Sequence, residues 1–294
     1  MEIKASMVKE LRDKTGAGMM DAKKALVETN GDMDKAIEFL RQKGIASADK
    51  KMGRIAAEGV IASTIDSNKG VMVEINCETD FVAKNEDFKS FAQDMASAIL
   101  AMNPSSVEEF LAMTCPKCGQ KIEDIIKEKI AKIGEKITIR RFVKYDADCC
   151  VNTYIHNGKI GVLLEAKCVN CNDETKTITK DICLHIASNA PEFVSREEIP
   201  ASVIEEEKRI EMGKEDLAKK PENIREKIVE GRVNKLMSQR CLLEQPFVKN
   251  PDITIAQLIE GKLSIVKFDR YVLGEGLEKR QDNFAQEVMS QIKG

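Results

Sequence analysis

Tryptophan is absent from the 294 residues, tyrosine occurs three times and histidine twice. With 4% aromatic residues, there is little material for base-stacking platforms or sugar-binding aromatic faces. An excess of positive charge is missing too. Lys and Arg number 46 against 49 Asp and Glu, for a net charge of -3, so no broad phosphate-binding surface is expected, and neither nucleic acid nor membrane is an expected partner. No apolar run approaches the roughly 20 residues that span a bilayer. The first ten residues carry charge where a signal peptide would be hydrophobic. Nine cysteines, an odd number, without a secretion signal fit reduced thiols and a cytoplasmic setting.

Several catalytic signatures are also missing. GxxxxGK[ST], a strand-linked GxGxxG, HExxH and GxSxG do not occur, so direct nucleotide binding and the common hydrolase chemistries are not expected. With two histidines and no local nucleophile signature, His185 reads as a packed helix residue and His156 as a turn residue facing solvent or a partner. The expectation is a protein that is not an enzyme and needs no cofactor and no metal.

What is present is an α+β pattern. A 43% hydrophobic and 32% charged composition fits a globular chain of two or three domains. Ala5, Val8 and Leu11 recur at helical spacing until Thr15-Gly16-Ala17-Gly18. Met19, Ala22 and Leu26 resume the pattern up to Asn30-Gly31. Asp32 caps a third helix bearing Met33, Ile37 and Leu40, with Gly44 as its expected stop and residues 47–51 as a linker. Residues 59–65 and 70–77 then read as a β-hairpin around Asp66-Ser67-Asn68-Lys69-Gly70. A long helix carrying Phe88, Phe91, Ala92, Met95, Ala98 and Ile99 ends at Asn103-Pro104, and Ser105 or Ser106 caps another. Ile122 to Ile133 forms a further stripe, and residues 136–145 alternate as a strand.

The second half repeats hairpin then helix: strands at 151–155 and 159–167 around His156-Asn157-Gly158, then a helix over 177–190. Residues 202–240 read as an antiparallel helical hairpin with Pro221 at its second helix and Val203, Ile210, Leu217, Ile224, Ile228, Val233 and Leu236 as its seam. A strand over 263–272 and a helix over 283–292 close the chain.

The most informative segment is Asn76-Cys77-Glu78-Thr79-Asp80-Phe81-Val82-Ala83-Lys84. It joins a strand end to a helix start, where Thr79 or Asp80 is a natural N-cap. Phe81 and Val82 then stand at a helix tip. Two readings follow: Phe81 staples into the local core, or it projects toward a partner. Cys115-Pro116-Lys117-Cys118 has the form that presents two thiolates to zinc, and Cys168-Val169-Asn170-Cys171 is a second pair. Their separation exceeds that of a compact zinc ribbon.

Residues 11–26, Leu-Arg-Asp-Lys-Thr-Gly-Ala-Gly-Met-Met-Asp-Ala-Lys-Lys-Ala-Leu, resemble the N-terminal signature of the bacterial elongation factor Ts family. So do residues 76–84, 130–135 with Ile139-Arg140-Arg141, 158–163, 227–232 and 245–248, in the family's order and across essentially the whole chain. The resemblance implies a guanine-nucleotide exchange factor for elongation factor Tu. It also implies a ubiquitin-associated-like three-helix bundle (1–51) and a core of two similar α+β subdomains (52–140 and 141–280). The second would carry a helical hairpin insertion at about 202–240, and a C-terminal helix (281–294) would follow. Partner contact is implied for Arg12, Met19 and Met20 of the bundle, for Thr79, Asp80, Phe81 and Val82, which would disturb the partner's magnesium site, and for His156. Cys115, Cys118, Cys168 and Cys171 depart from the family pattern. They motivate a competing reading, a zinc-stabilised nucleic-acid-binding protein, against which net charge and aromatic content count. A thiol oxidoreductase is a third reading.

Overall fold

The computed structural model describes residues 3–148, 150–217 and 220–278. Helices and strands mix along the chain, an α+β arrangement. In one three-stranded sheet β1 (Glu58–Asp66), β2 (Lys69–Cys77) and β3 (Thr138–Asp146) lie in that order, and in another β4 (Cys150–His156), β5 (Ile160–Cys168) and β8 (Leu263–Val272) do so; β6 (Pro246–Phe247) and β7 (Asn250–Thr254) form a two-stranded pair. The described residues divide into two compact units: 3–62, 73–142 and 273–278 in the first, 63–72 and 143–272 in the second.

The first unit opens with α1 (Ala5–Thr15), α2 (Met19–Glu28) and α3 (Met33–Lys51). Gly16 in the left-handed region ends α1, and the Asp32 carboxylate accepts the Lys35 N–H at 3.1 Å to start α3. Val8, Leu11, Ala22, Ala25, Leu26 and Ala36 form their shared core. Met19, expected on that stripe, is instead exposed, because α2 begins on it and turns Ala22 and Leu26 inward.

Gly44 does not stop α3, and residues 47–51 are helix, not linker. The reason is packing. A Cβ at Gly44 would come 2.8 Å from the Ala131 Cβ, so the glycine lets α3 lie closely against α7 (Ile122–Ile133). Arg41 and Glu128 pair at 3.0 Å across the same contact. The bundle therefore leans on α7 instead of hanging from a polar tether.

After β1 (Glu58–Asp66) and β2 (Lys69–Cys77) come α4 (Asp80–Lys84), α5 (Glu86–Met102) and α6 (Val107–Ala112). Asn85 caps α5 and Ser106 caps α6. Helix α5 buries Phe88, Phe91, Ala92, Met95, Ala96 and Ile99, and each large side chain buried contributes about 1.5–3 kcal/mol. Gly134 ends α7 in the left-handed region, and β3 (Thr138–Asp146) follows.

Glu74 of β2 is wholly buried and meets Arg140 at 3.0 Å and Arg141 at 2.7 Å. It also accepts the Asn76 amide at 3.2 Å and the Gly274 N–H at 2.9 Å. Burial opposes its charge, but the Gly274 N–H and the two guanidiniums outweigh it and hold the carboxyl below its ordinary value. Gly274 has φ 69°, and a Cβ there would come 2.5 Å from the Ala57 carbonyl oxygen. Only glycine suits that place.

In the second unit, β4 (Cys150–His156) pairs antiparallel with β5 (Ile160–Cys168), which pairs antiparallel with β8 (Leu263–Val272). Helix α8 (Asp173–Asn189) starts four residues earlier than the expected 177, because Asn172 and Thr175 form a reciprocal capping box. Its buried face joins Val162, Leu164, Ala166, Leu242 and Phe247 in one core. Two short strands, β6 (Pro246–Phe247) and β7 (Asn250–Thr254), and the short helix α11 (Ile255–Ile259) precede β8; none was legible in the sequence.

Helices α9 (Ala201–Met212) and α10 (Glu222–Arg240) pack on each other. Their seam differs from the expected one. Leu217, Val229, Val233 and Met237 are buried, with Val203, Ile228 and Leu236 against them, whereas Ile210 and Ile224 are exposed. Pro221 is the N-cap of α10, one residue before the first turn. The helix expected at 283–292 lies outside the described residues.

Candidate functional site

The strand-to-helix junction after β2 is built from backbone needs first. Thr79 is extended (φ -125°, ψ 154°), and its hydroxyl accepts the Val82 N–H at 3.3 Å, making it the N-cap of α4. Behind it, the Glu135 carboxylate accepts the Glu78 N–H at 3.1 Å, the Thr79 N–H at 3.0 Å and the Thr79 hydroxyl at 2.6 Å. Glu78 reciprocates across the same gap. Its carboxylate accepts the Lys136 N–H at 2.6 Å and Arg54 at 3.2 Å. Two short segments, one after β2 and one after α7, are thus bound by crossed carboxylates.

Cys77 lies beneath this clamp, its thiol donating to the Thr79 carbonyl at 3.2 Å. Burial pushes its thiol up to about 12, with the nearby Glu135 charge adding to the effect. This cysteine is a packing residue, not a nucleophile.

On that platform Phe81 is 82% exposed. The staple into the local core is therefore not formed; the ring projects into solvent. Val82 is half-buried beside it, and Ala83 supplies the buried contact of this short helix. Asp80 pairs with Lys84 at 2.6 Å, and that hydrogen bond holds its carboxyl below the ordinary range. Both partners are exposed, so the pair orients a charge more than it stabilises the fold.

Among the other sequence candidates, Arg12, Met19 and Met20 are all exposed, Met20 at 78%. They sit at the end of α1 and the start of α2, in the same unit as α4. His156 belongs to the second unit, exposed at the β4–β5 turn. Its ring stacks with Tyr154 at 6.2 Å between centroids and meets the Tyr154 hydroxyl at 3.2 Å. His185 is buried and bonded to Gln245 at 2.8 Å, as a packed residue would be.

The clamp residues Arg54, Glu78 and Glu135 were not candidates from the sequence. Their only signal there is an acid on each side of two helix boundaries, which looks like ordinary capping charge.

Among the described residues no group of three or more His, Cys, Asp or Glu side chains assembles as a metal site, and the zinc reading finds no support. No helix among them is long and apolar enough to cross a membrane.

The described residues thus define an α+β protein with an exposed apolar ring, Phe81, at a braced helix tip. Its own sequence makes the class more specific. The model of the elongation factor TS family matches residues 78–275, and the chain belongs to that family. The family promotes nucleotide exchange on elongation factor Tu during translation elongation, an activity exerted on a protein partner without covalent catalysis.

Proposed function

We propose that this chain drives GDP release from elongation factor Tu by pressing the α4 tip, Thr79 to Val82, against the partner near its magnesium site. The observation that carries the reading is Phe81, 82% exposed on a helix whose cap is fixed by Glu135. A large ring carried on a capped, braced helix has its backbone ordered before binding, and such aromatic anchors dominate interface energies. Asp80 brings a carboxylate to the same spot. A carboxylate that competes for the groups ordering Mg²⁺ weakens neutralisation of the β-phosphate, and the nucleotide leaves faster.

An exchange factor must bind the nucleotide-free partner more tightly than the nucleotide-bound one, since coupling between two ligands is reciprocal. Contacts that form only with a distorted nucleotide site supply that difference. In this reading the bundle of residues 1–51, through Arg12, Met19 and Met20, and His156 of the second α+β part anchor the complex, while α4 does the distorting. Met19 and Met20 offer adaptable apolar contact.

The experiment is GDP release from elongation factor Tu, stimulated by wild type and by Asp80→Ala with Phe81→Ala, beside thermal melting of both. The expected outcome is a loss of at least ~10-fold in stimulated release, about 1.4 kcal/mol of coupling, with little change in melting. A variant that melts early yet exchanges normally per folded molecule would return Phe81 to a structural role.

A further inference from the structure

Between the loop that joins α1 to α2 and the helices α3 and α7, the first unit holds a cavity of about 380 Å³. No residue of the α4 tip lines it. Its size falls in the range of roughly 300–1,000 Å³ that takes small molecules. Ile37 and Leu40, half-buried against the bundle core, give it an apolar side, and Ala17 and Ala131 keep it open. Cations reach the same space from three helices: Lys14 of α1, Arg41 and Lys43 of α3, and Lys132 of α7. Lys14 pairs with Glu10 at 2.9 Å, Arg41 with Glu128 at 3.0 Å and Lys43 with Asp21 at 2.6 Å. Asp21 and Glu128 are the two carboxylates in the lining. Lys132 has no acidic partner among the described residues. Its stem crosses the loop: a Cβ at Gly16 would come 3.1 Å from the Lys132 Cε and 3.4 Å from its Cδ. The glycine that ends α1 thus also leaves room for this lysine. With the other three cations matched by acids, Lys132 is the charge in excess.

We infer that this cavity binds a small phosphomonoester carried on a flat apolar body. The donor set selects the anion. A carboxylate brings two oxygens and a single charge, whereas a phosphomonoester brings three terminal oxygens and close to two charges at neutral pH. Cations converging from three helices suit the second, and the Arg41 guanidinium has the forked donors that match phosphate. The three ion pairs are exposed, and such pairs hold their partners weakly. Asp21 and Glu128 can keep their cations as partners, since an ammonium or a guanidinium has more donors than one carboxylate takes up. The apolar side formed by Ile37 and Leu40 selects the body that carries the phosphate. This binding is independent of how α4 acts on elongation factor Tu.

The test is isothermal titration calorimetry of the full chain with phenyl phosphate, benzoate and inorganic phosphate, beside thermal melting of each variant. Phenyl phosphate should saturate at roughly one site per chain, with benzoate and inorganic phosphate at least ~10-fold weaker. Lys132→Met keeps the stem over Gly16 and removes the unpaired charge. It should melt like wild type and bind phenyl phosphate at least ~10-fold more weakly. Ala17→Phe keeps every charge but fills the cavity, and should abolish binding. Lys208→Met, on α9 of the second unit, should bind as wild type does. Absence of saturable phenyl phosphate binding, or wild-type affinity in either cavity variant, would overturn the site. Benzoate or inorganic phosphate binding as tightly as phenyl phosphate would overturn the ligand class. A loss in Lys208→Met equal to that in Lys132→Met would reduce the binding to unspecific charge attraction and overturn it as well.

Discussion

Glu135 accepts two hydrogen bonds from Thr79, one from its N–H at 3.0 Å and one from its hydroxyl at 2.6 Å. The same hydroxyl accepts the Val82 N–H and so caps α4. A carboxylate beyond the end of α7 thereby fixes the direction in which Asp80 and Phe81 leave the fold. Replacing Glu135 by Ala should leave two N–H groups and a hydroxyl without their charged acceptor, at a cost of about 2 kcal/mol. Stimulated GDP release should fall further than folding stability accounts for, because the tip loses its aim. Urea unfolding and release assays on one preparation check this; unchanged release from a destabilised protein would separate the clamp from exchange.

Gly44 tests the seating of the bundle. Gly44→Leu places a side chain where even a Cβ would be 2.8 Å from the Ala131 Cβ. The substitution favours the isolated helix by roughly 1 kcal/mol, so any destabilisation must come from the contact with α7. The expected outcome is a loss of about 1–3 kcal/mol, read by thermal melting. A melting temperature above wild type would show that α3 does not need that approach.

Glu74 tests the buried ion cluster. Glu74→Gln keeps the shape but removes the charge facing Arg140 and Arg141, whose side chains are 24% and 30% exposed. Partial contact with water softens the effect to about 2 kcal/mol, below the ~3–5 kcal/mol of a fully buried pair. Denaturant unfolding of the variant measures it, and a wild-type midpoint would deny the cluster a stabilising role.

His185 gives the second unit a pH dependence. Burial holds its pKa below the ordinary 6.5, and the hydrogen bond with Gln245 opposes this only in part. The Val248 N–H donates to Nδ1 at 3.2 Å, so Nε2 carries the proton toward Gln245 and the folded ring is neutral. Below the unfolded value of 6.5, the unfolded chain takes up a proton that the fold resists. Stability is therefore complete above about 6.5 and declines as pH falls toward the folded value. Melting temperatures of wild type and His185→Asn between about pH 7.5 and 5 check this. The variant should be less stable throughout but with a flatter slope, and equal slopes would assign the dependence elsewhere.

Much of the fold was legible because it follows local rules. Capping residues at Asp32, Ser106 and Thr79, glycine stops at Gly16 and Gly134, β-branched runs around turn residues, and alternation over 136–145 located β1 to β5, β8 and most helices. The failures share a cause. At Gly44 the sequence pattern reads a terminator, whereas close packing on Ala131 keeps the helix going. At Ile210 and Ile224 helical spacing reads a seam, but which residues face the partner helix depends on how the two helices are rotated against each other. The candidate site shows the same division. The Thr79 cap and the helix tip were visible; the exposure of Phe81 and the crossed carboxylates were not, since Glu78 and Glu135 lie 57 positions apart.

The Glu74 cluster also imposes an order in time. Its two arginines lie at 140 and 141, but its last donor is the N–H of Gly274, 200 positions downstream of Glu74. At ~5–20 residues per second, a ribosome needs on the order of 10 s beyond Arg141 to make that residue. Throughout that interval the nascent first unit holds a charge it cannot fully satisfy. Its completion is deferred until the whole second unit has been synthesised, because the segment that closes the first unit follows the second in the chain.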